Sequence, residues 1–182
     1  MFVAGFAHAP NVDAALWFVK EIFPLVKREV AAATLWIVGS NPSPTVRNLA
    51  NDCIEVTGYV TADELTVRYA RARVAAVPLR FGAGVKLKVV EAIHEGLPLV
   101  TTSVGAQGLT SVDEAAAVVG GSEAFARELV RLLRDDVSWV EQSRRQLNYA
   151  RVHFSRQASI AAIVEATSAA TANAEKRIAQ RT

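Results

Sequence analysis

The chain has 182 residues, of which 51% are hydrophobic and 21% charged, with a formal net charge of +2; that make-up buries a sizeable core as one soluble globular unit. So small a charge, with no strip of interleaved basic and aromatic residues, excludes the electrostatic footprint of a nucleic-acid binder. The single cysteine, Cys53, excludes a disulfide framework and a multi-cysteine metal centre, and no run reaches the roughly 18 apolar residues of a membrane span, so a cytoplasmic protein is expected.

Phe2 to Gly5 (FVAG) reads as a short apolar strand running into AHAPN, where Pro10 and Asn11 mark a turn and a helix start. From Val12 to about Val30, the residues Ala15, Leu16, Val19, Ile22, Phe23 and Val26 recur every three or four positions as one core-facing stripe. Pro24 is expected to kink or end that helix locally. Thr34 to Gly39 (TLWIVG) is a second buried strand, stopped by a loop at SNPSP, and Ile54 to Val60 (IEVTGYV) is a third. Thr61, with Glu64 three residues on, forms a capping box that opens a helix turning Leu65, Tyr69 and Ala72 inward.

VAAVPL, ending at Leu79, is continuous and rich in small and β-branched residues, as a strand buried on both faces should be. A glycine-rich turn and a helix over 84–95 follow, stopped by Gly96. Pro98 to Ser103 and Ala115 to Gly120 supply two more strands, and Ser122 is expected to cap a helix with Phe125, Leu129 and Leu132 inside. From about Val137 the pattern is helix alone, first to Phe154 and then an alanine-rich segment with a thin stripe of Ile160, Ile163 and Val164, its end expected to fray. The expectation is a single α/β domain over 1–182. Residues 1–135 form a Rossmann-like doubly wound parallel sheet with helices on both faces, and 136–182 add C-terminal helices.

The segment from Pro78 to Val100 concentrates the chemistry. Gly82 and Gly84 can take positive φ, the helix amides near Val85 to Lys88 lack partners, and Lys86 and Lys88 add charge where a helix dipole already favours an anion. The turn is not a Walker loop, since Gly84 is followed by Val85 and Lys86, and Leu87 stands where a dinucleotide fingerprint wants its third glycine. From this segment alone an ordinary βα turn with solvated lysines stays open beside the anion cradle. Glu91, on the second turn, is a candidate ligand group. His8, His94 and His153 show no metal-ligand spacing and no Asp-x-Asp element occurs, so no metal or cofactor is expected. Arg144-Arg145 reads as a solvated face, with contact to another domain or an anionic membrane surface as the alternatives.

FVAGFAHAPNVDAALWFVKEIFPLV, followed by LWIVGSNP, IEVTGYV, VPLRFGAGVKLKVVEAIHEGLPLVTT and SVGAQGL, resembles the C-terminal, nucleotide-sugar-binding half of GT-B glycosyltransferases of the retaining group 1 or family 4 type. The likeness covers about Phe2 to Ala170 and is most specific from Pro78 to Gly108. It implies one half of a GT-B fold and a nucleoside-diphosphate-sugar donor bound in a cleft between two domains. By that resemblance Glu91 accepts hydrogen bonds from ribose hydroxyls, and Gly84, Val85 and Lys86 belong to the turn that meets the diphosphate. Tyr59 and Val60 line the base, and Gly5 and Gly39 allow close backbone approach at neighbouring strand ends.

Two departures stand out. Ala83 occupies the position of a glutamate that contacts the donor sugar in typical members, and the loop FAHAPN lacks their arginine and lysine, having only His8 to titrate. Lys86 and Lys88 are expected to take over that charge. The acceptor-holding N-terminal domain of a GT-B enzyme is absent, so the chain is expected to be part of a longer hexosyltransferase and inactive in transfer alone. That enzyme would act on a glycan or lipid-linked acceptor in envelope or exopolysaccharide synthesis, cytoplasmic or peripheral at the inner membrane face. The alternatives are a degenerate nucleotide-binding or interaction module and a sugar-nucleotide epimerase of similar architecture.

Overall fold

Short apolar runs pair as six parallel strands in the computed structural model, which describes residues 1–158 and 160. The strands are β1 (Phe2–Val3), β2 (Leu35–Val38), β3 (Ile54–Val56), β4 (Ala75–Val77), β5 (Leu99–Thr101) and β6 (Ala117–Val118). They form two three-stranded ladders, β1-β2-β3 and β4-β5-β6. Met1 joins the two: its carbonyl accepts from the Ala76 N–H at 2.9 Å and its amino group donates to the Val74 carbonyl at 2.8 Å. The lateral order is therefore β3-β2-β1-β4-β5-β6, with helices on both faces. The strand order reverses at the β1/β4 seam, and in open parallel sheets that is where ligands sit, beyond the carboxyl ends.

The first helical stretch begins earlier than expected and survives its proline. It consists of α1 (Ala9–Trp17), a wide π turn (Phe18–Ile22) and α2 (Phe23–Glu29). Pro24 falls in the first turn of α2, where a missing N–H is tolerated, so the helix does not end there; the local irregularity is the π turn just before it. Its inner side packs on the helix α6 (Ser122–Arg134), with the Trp17 and Phe18 rings 6.2 and 6.3 Å from Phe125.

The stretch read as a loop after β2 holds a one-turn helix, α3 (Pro44–Arg47), capped by Ser43, whose Oγ accepts from the Val46 N–H. α4 (Ala62–Arg71) carries the expected capping box, its two bonds measuring 2.7 and 3.3 Å between Thr61 and Glu64. α5 (Leu87–His94) starts three residues later than expected, and α6 is preceded by Gly121 at its N-cap instead of Ser122. α7 (Asp136–His153) is capped by Asp135. The alanine-rich last segment lies outside the described residues, apart from 156–158 and 160, which are helical.

α7 is fastened by two buried amides that the hydrophobic pattern does not announce. Gln146 Oε1 accepts from the Leu99 N–H at 2.9 Å, while its Nε2 donates to the carbonyls of Leu97 (2.7 Å) and Ala92 (3.3 Å). Gln142 Nε2 donates to the Leu99 carbonyl at 2.8 Å and to Gln146 Oε1 at 3.2 Å. One side chain thereby satisfies the end of α5 and the start of β5 together. Gln146→Leu is expected to leave those backbone groups unpaired and to lower the unfolding free energy by about 3 kcal/mol, measurable as a shifted urea midpoint.

Candidate functional site

At the β1/β4 seam the first turn of α1 meets the turn between β4 and α5, and two side-chain ties, from Asn11 and Asp13, hold them together. Asn11 Nδ2 donates to the Gly5 carbonyl at 2.7 Å, and Asn11 Oδ1 accepts from the Lys88 ammonium. The Arg80 guanidinium bonds both carboxylate oxygens of Asp13, its Nε at 2.9 Å, and lies 5.4 Å over the Trp17 ring. Gly82 faces Pro10 with room for a side chain: a Cβ there would come only to ordinary van der Waals distance, 3.8 Å, from the ring.

The glycine-rich turn reaches α5 without a side-chain cap. Gly84 has φ +75°, a conformation that a side chain would strain, and its carbonyl accepts from the Lys86 ammonium. Lys86 is extended at the N-cap position, and the Val89 and Val90 N–H groups return to its carbonyl at 2.9 and 3.3 Å. The N–H groups of Leu87 and Lys88 meet no acceptor among the described residues. The N–H groups of Val85 and Lys86, just before the helix, likewise meet no acceptor among the described residues, and Val85 is exposed and rests against Gly108 in the loop after β5.

Lys88 is the electrostatic centre of this turn. It is largely buried, its Nζ lies 5.3 Å from the centroid of the Phe2 ring, and burial lowers its pKa to about 8, with repulsion from Lys86 adding to the shift and Glu91 opposing it. Among the described residues no carboxylate lies within ion-pair distance of it. One turn on, the hydroxyl of buried Tyr69 donates to Glu91 Oε2 at 3.2 Å. Burial first, then the charge of Glu91, pushes the Tyr69 phenol far above its ordinary range, so it stays a donor. The other Glu91 oxygen is left on an exposed helix face, suited to a hydroxyl pair.

The remaining sequence candidates lie at the carboxyl ends of neighbouring strands. Gly39 has φ +146°, and a Cβ there would sit 1.7 Å from the Ala4 carbonyl oxygen, so the close approach of the β1 and β2 ends requires glycine. Its N–H donates to the Gly58 carbonyl at 3.1 Å, drawing the β3 end alongside. Tyr59 and Val60 follow in the loop before α4; Tyr59 is 78% exposed and Val60 half-buried, and no hydrogen bond links either to Lys88 or Glu91. Ala83 is exposed in the turn, with only a methyl where typical members of the resembled family carry a glutamate.

Sequence reasoning missed Asn11, read only as a helix-start residue, and the hydroxyl of Tyr69, read as core; it also missed the Arg80–Asp13 pair. A hollow of about 320 Å³ bordered by Met1, Thr34, Arg73 and Leu133 opens at the amino ends of the strands, away from this crevice. Among the described residues no group of three His, Cys, Asp or Glu could hold a metal ion, and no helix is long and apolar enough to cross a membrane.

Residues 1–135 match the family described as glycosyl transferases group 1. A GDP-mannose-dependent alpha-(1-6)-phosphatidylinositol monomannoside mannosyltransferase of Mycobacterium tuberculosis is 36% identical over 115 residues, 59% of this chain and 26% of that protein. An uncharacterized 44.6 kDa protein in the cps region of Klebsiella pneumoniae is 24% identical over 138 residues, 71% of this chain and 36% of its own. The chain thus spans about a quarter to a third of the length of these curated relatives. Among solved structures, the C-terminal domain of a glycosyl transferase group 1 family protein (LpcC) from Francisella tularensis superposes with a TM-score of 0.63 at 14% identity, covering 86% of this chain and 84% of that one. TarM superposes with a TM-score of 0.71 at 14% identity, covering 90% and 33%. At such identities the superpositions establish the fold, a GT-B glycosyltransferase C-terminal domain, and the sequence match establishes the kinship: the chain belongs to the glycosyl transferases of group 1.

Proposed function

We propose that the chain is the donor-binding half of a retaining hexosyltransferase and that the β1/β4 crevice holds the diphosphate of a nucleoside-diphosphate sugar. The observation that carries this reading is Lys88, a largely buried ammonium without a carboxylate partner, set beside the free amides that open α5. Burying a cation costs free energy unless an anion completes it, and a diphosphate supplies that charge. Lys86 adds a second cation at the mouth. Glu91, steadied by Tyr69, accepts from the ribose diol; Gly5 leaves the end of β1 open to the donor, and Gly39 brings the end of β2 close beside it. Tyr59 and Val60 border the base.

The mycobacterial relative uses GDP-mannose by its name, which makes GDP-sugars the first donors to try. Its phosphatidylinositol monomannoside acceptor supports a glycan or lipid-linked acceptor reached from the cytoplasmic membrane face, in envelope or exopolysaccharide synthesis. Transfer needs groups from both sides of a cleft, so the isolated chain binds donor without turning it over. Ala83 favours one other reading, a module that keeps the nucleotide seat and has lost transfer.

Calorimetric titration of the 182-residue chain with GDP, UDP and ADP is expected to give micromolar to sub-millimolar binding for at least one of them, weakened tenfold or more by Lys88→Met. No binding of any at millimolar concentration overturns the donor reading. Anion binding requires the protonated amine, so affinity is expected to fall about tenfold between pH 7.5 and 9.5, as Lys88 deprotonates through its pKa of about 8.

The same group acts on stability with a definite sign. Its folded pKa lies below its unfolded value, so between pH 8 and 10.5 the unfolded chain binds more protons and stability rises with pH. Urea midpoints of the wild type and of Lys88→Met at pH 8 and pH 10 are expected to differ by this gain, absent from the variant.

A further inference from the structure

Two cations, Arg80 from the β4–α5 turn and Lys88 from the first turn of α5, reach α1, and they meet opposite treatment. Arg80 meets Asp13, which bonds it through both oxygens and cancels its charge. Lys88 meets Asn11, two residues earlier on the same helix, which bonds it through a neutral amide oxygen. Asn11 is only 9% exposed, and its amide nitrogen is anchored on the Gly5 carbonyl at 2.7 Å, so its oxygen is held facing Lys88 by the end of β1. Asparagine and aspartate have nearly the same shape, and an aspartate here would form a part-buried ion pair with Lys88.

We infer that Asn11 is a positioning residue for anion capture: its neutral amide aims the Lys88 ammonium into the crevice without neutralising it, leaving the charge for a bound diphosphate. The inference rests on reading that crevice as the diphosphate seat. Asn11 reconciles two requirements that a flexible lysine otherwise sets against each other. A free ammonium on a four-carbon stem loses rotamer entropy when an anion fixes it, whereas an ammonium fixed by a carboxylate has no charge left to offer. A neutral acceptor fixes the geometry beforehand and keeps the field.

The other groups around Lys88 are Lys86 and Glu91 on its own turn and helix, acting in opposite senses, and the Phe2 ring from β1. On α1, Asp13 is occupied by Arg80, and His8 stands at the N-cap. Glu91 is engaged by Tyr69. Introducing a carboxylate at position 11 would therefore change the charge at Lys88 more directly than at any of these.

The test compares the wild type with Asn11→Ala and Asn11→Asp, titrating each with inorganic pyrophosphate and with GDP, UDP and ADP at pH 7.5, 8.5 and 9.5. Affinity is expected to fall severalfold in Asn11→Ala, where the ammonium is charged but no longer aimed, and tenfold or more in Asn11→Asp. The loss of affinity on raising pH should move to higher pH in Asn11→Ala, as Lys88 gains water, and should vanish below pH 9.5 in Asn11→Asp, where the pair keeps Lys88 protonated. A merely structural Asn11 would weaken both variants in proportion to their loss of thermal stability and leave the pH midpoint where it is; that result overturns the inference. If Asn11→Asp does not fold, the pH midpoint of Asn11→Ala decides alone, an unshifted midpoint refuting the role. Wild-type protein that binds none of the four anions defeats the diphosphate seat itself, whereas wild-type binding with unaltered variants defeats only the role of Asn11.

Discussion

A positive charge held mostly out of water, with no carboxylate at ion-pair distance among the described residues, is the constraint on which this structure turns. Lys88 is unfavourable by itself: its amine is depressed toward the physiological range, and its contacts are an amide oxygen and the face of a phenyl ring. Such a residue persists only if the surrounding fold is well determined. Here the surroundings are the seam between β1 and β4, stitched by the Met1 backbone, with the Arg80–Asp13 pair alongside. Stability is invested in the seam, and the unfavourable group is placed at its mouth.

α5 concentrates complementary chemistry along little more than one turn. Its first amides and Lys88 suit an anion, while Glu91, three residues on, suits hydroxyl donors. A ligand with phosphate at one end and a diol at the other would find both needs met by one rigid element, without any loop having to order. The buried Tyr69 hydroxyl reaches Glu91 from α4, so the acid is fixed by a neighbouring helix while the lysine is fixed from α1. Lys88 and Glu91 are thus each oriented by an element other than their own, whereas Lys86 bonds the Gly84 carbonyl of its own turn.

Much of this was legible in the sequence, for identifiable reasons. Strand and helix alternation follows from pattern period, and the capping box at Thr61 and Glu64 is a local device that needs no tertiary knowledge. The glycine-rich turn, its lysines and Glu91 could be singled out because they are close in sequence. α3 escaped because one turn is too short to show a period, and the start of α5 was misplaced because Lys86, extended, keeps the turn going three residues longer. The helix did not end at Pro24, and the disturbance took the form of a π turn before it, a backbone response that composition does not encode. The polar network was hidden for another reason: Lys88 and Asn11 are 77 residues apart, Tyr69 and Glu91 are 22 apart, and each looked ordinary in its own neighbourhood.

The amide of Gln146 gives α5 a mechanical character. It grips the carbonyls of Ala92 and Leu97 and the N–H of Leu99, so the C-terminal end of the helix is pinned to α7 and β5, while at its N-terminal end the polar tie is that of Lys88 to Asn11, beside the buried Val89. α5 is therefore a short lever with its fulcrum at the far end from the charges. Its eight residues make an arm of about 12 Å, and a tilt of about 5° would carry the leading amides through about 1 Å. That travel is comparable to the difference between a good hydrogen bond and none, so a helix that is immobile at one end can still adjust its grip at the other.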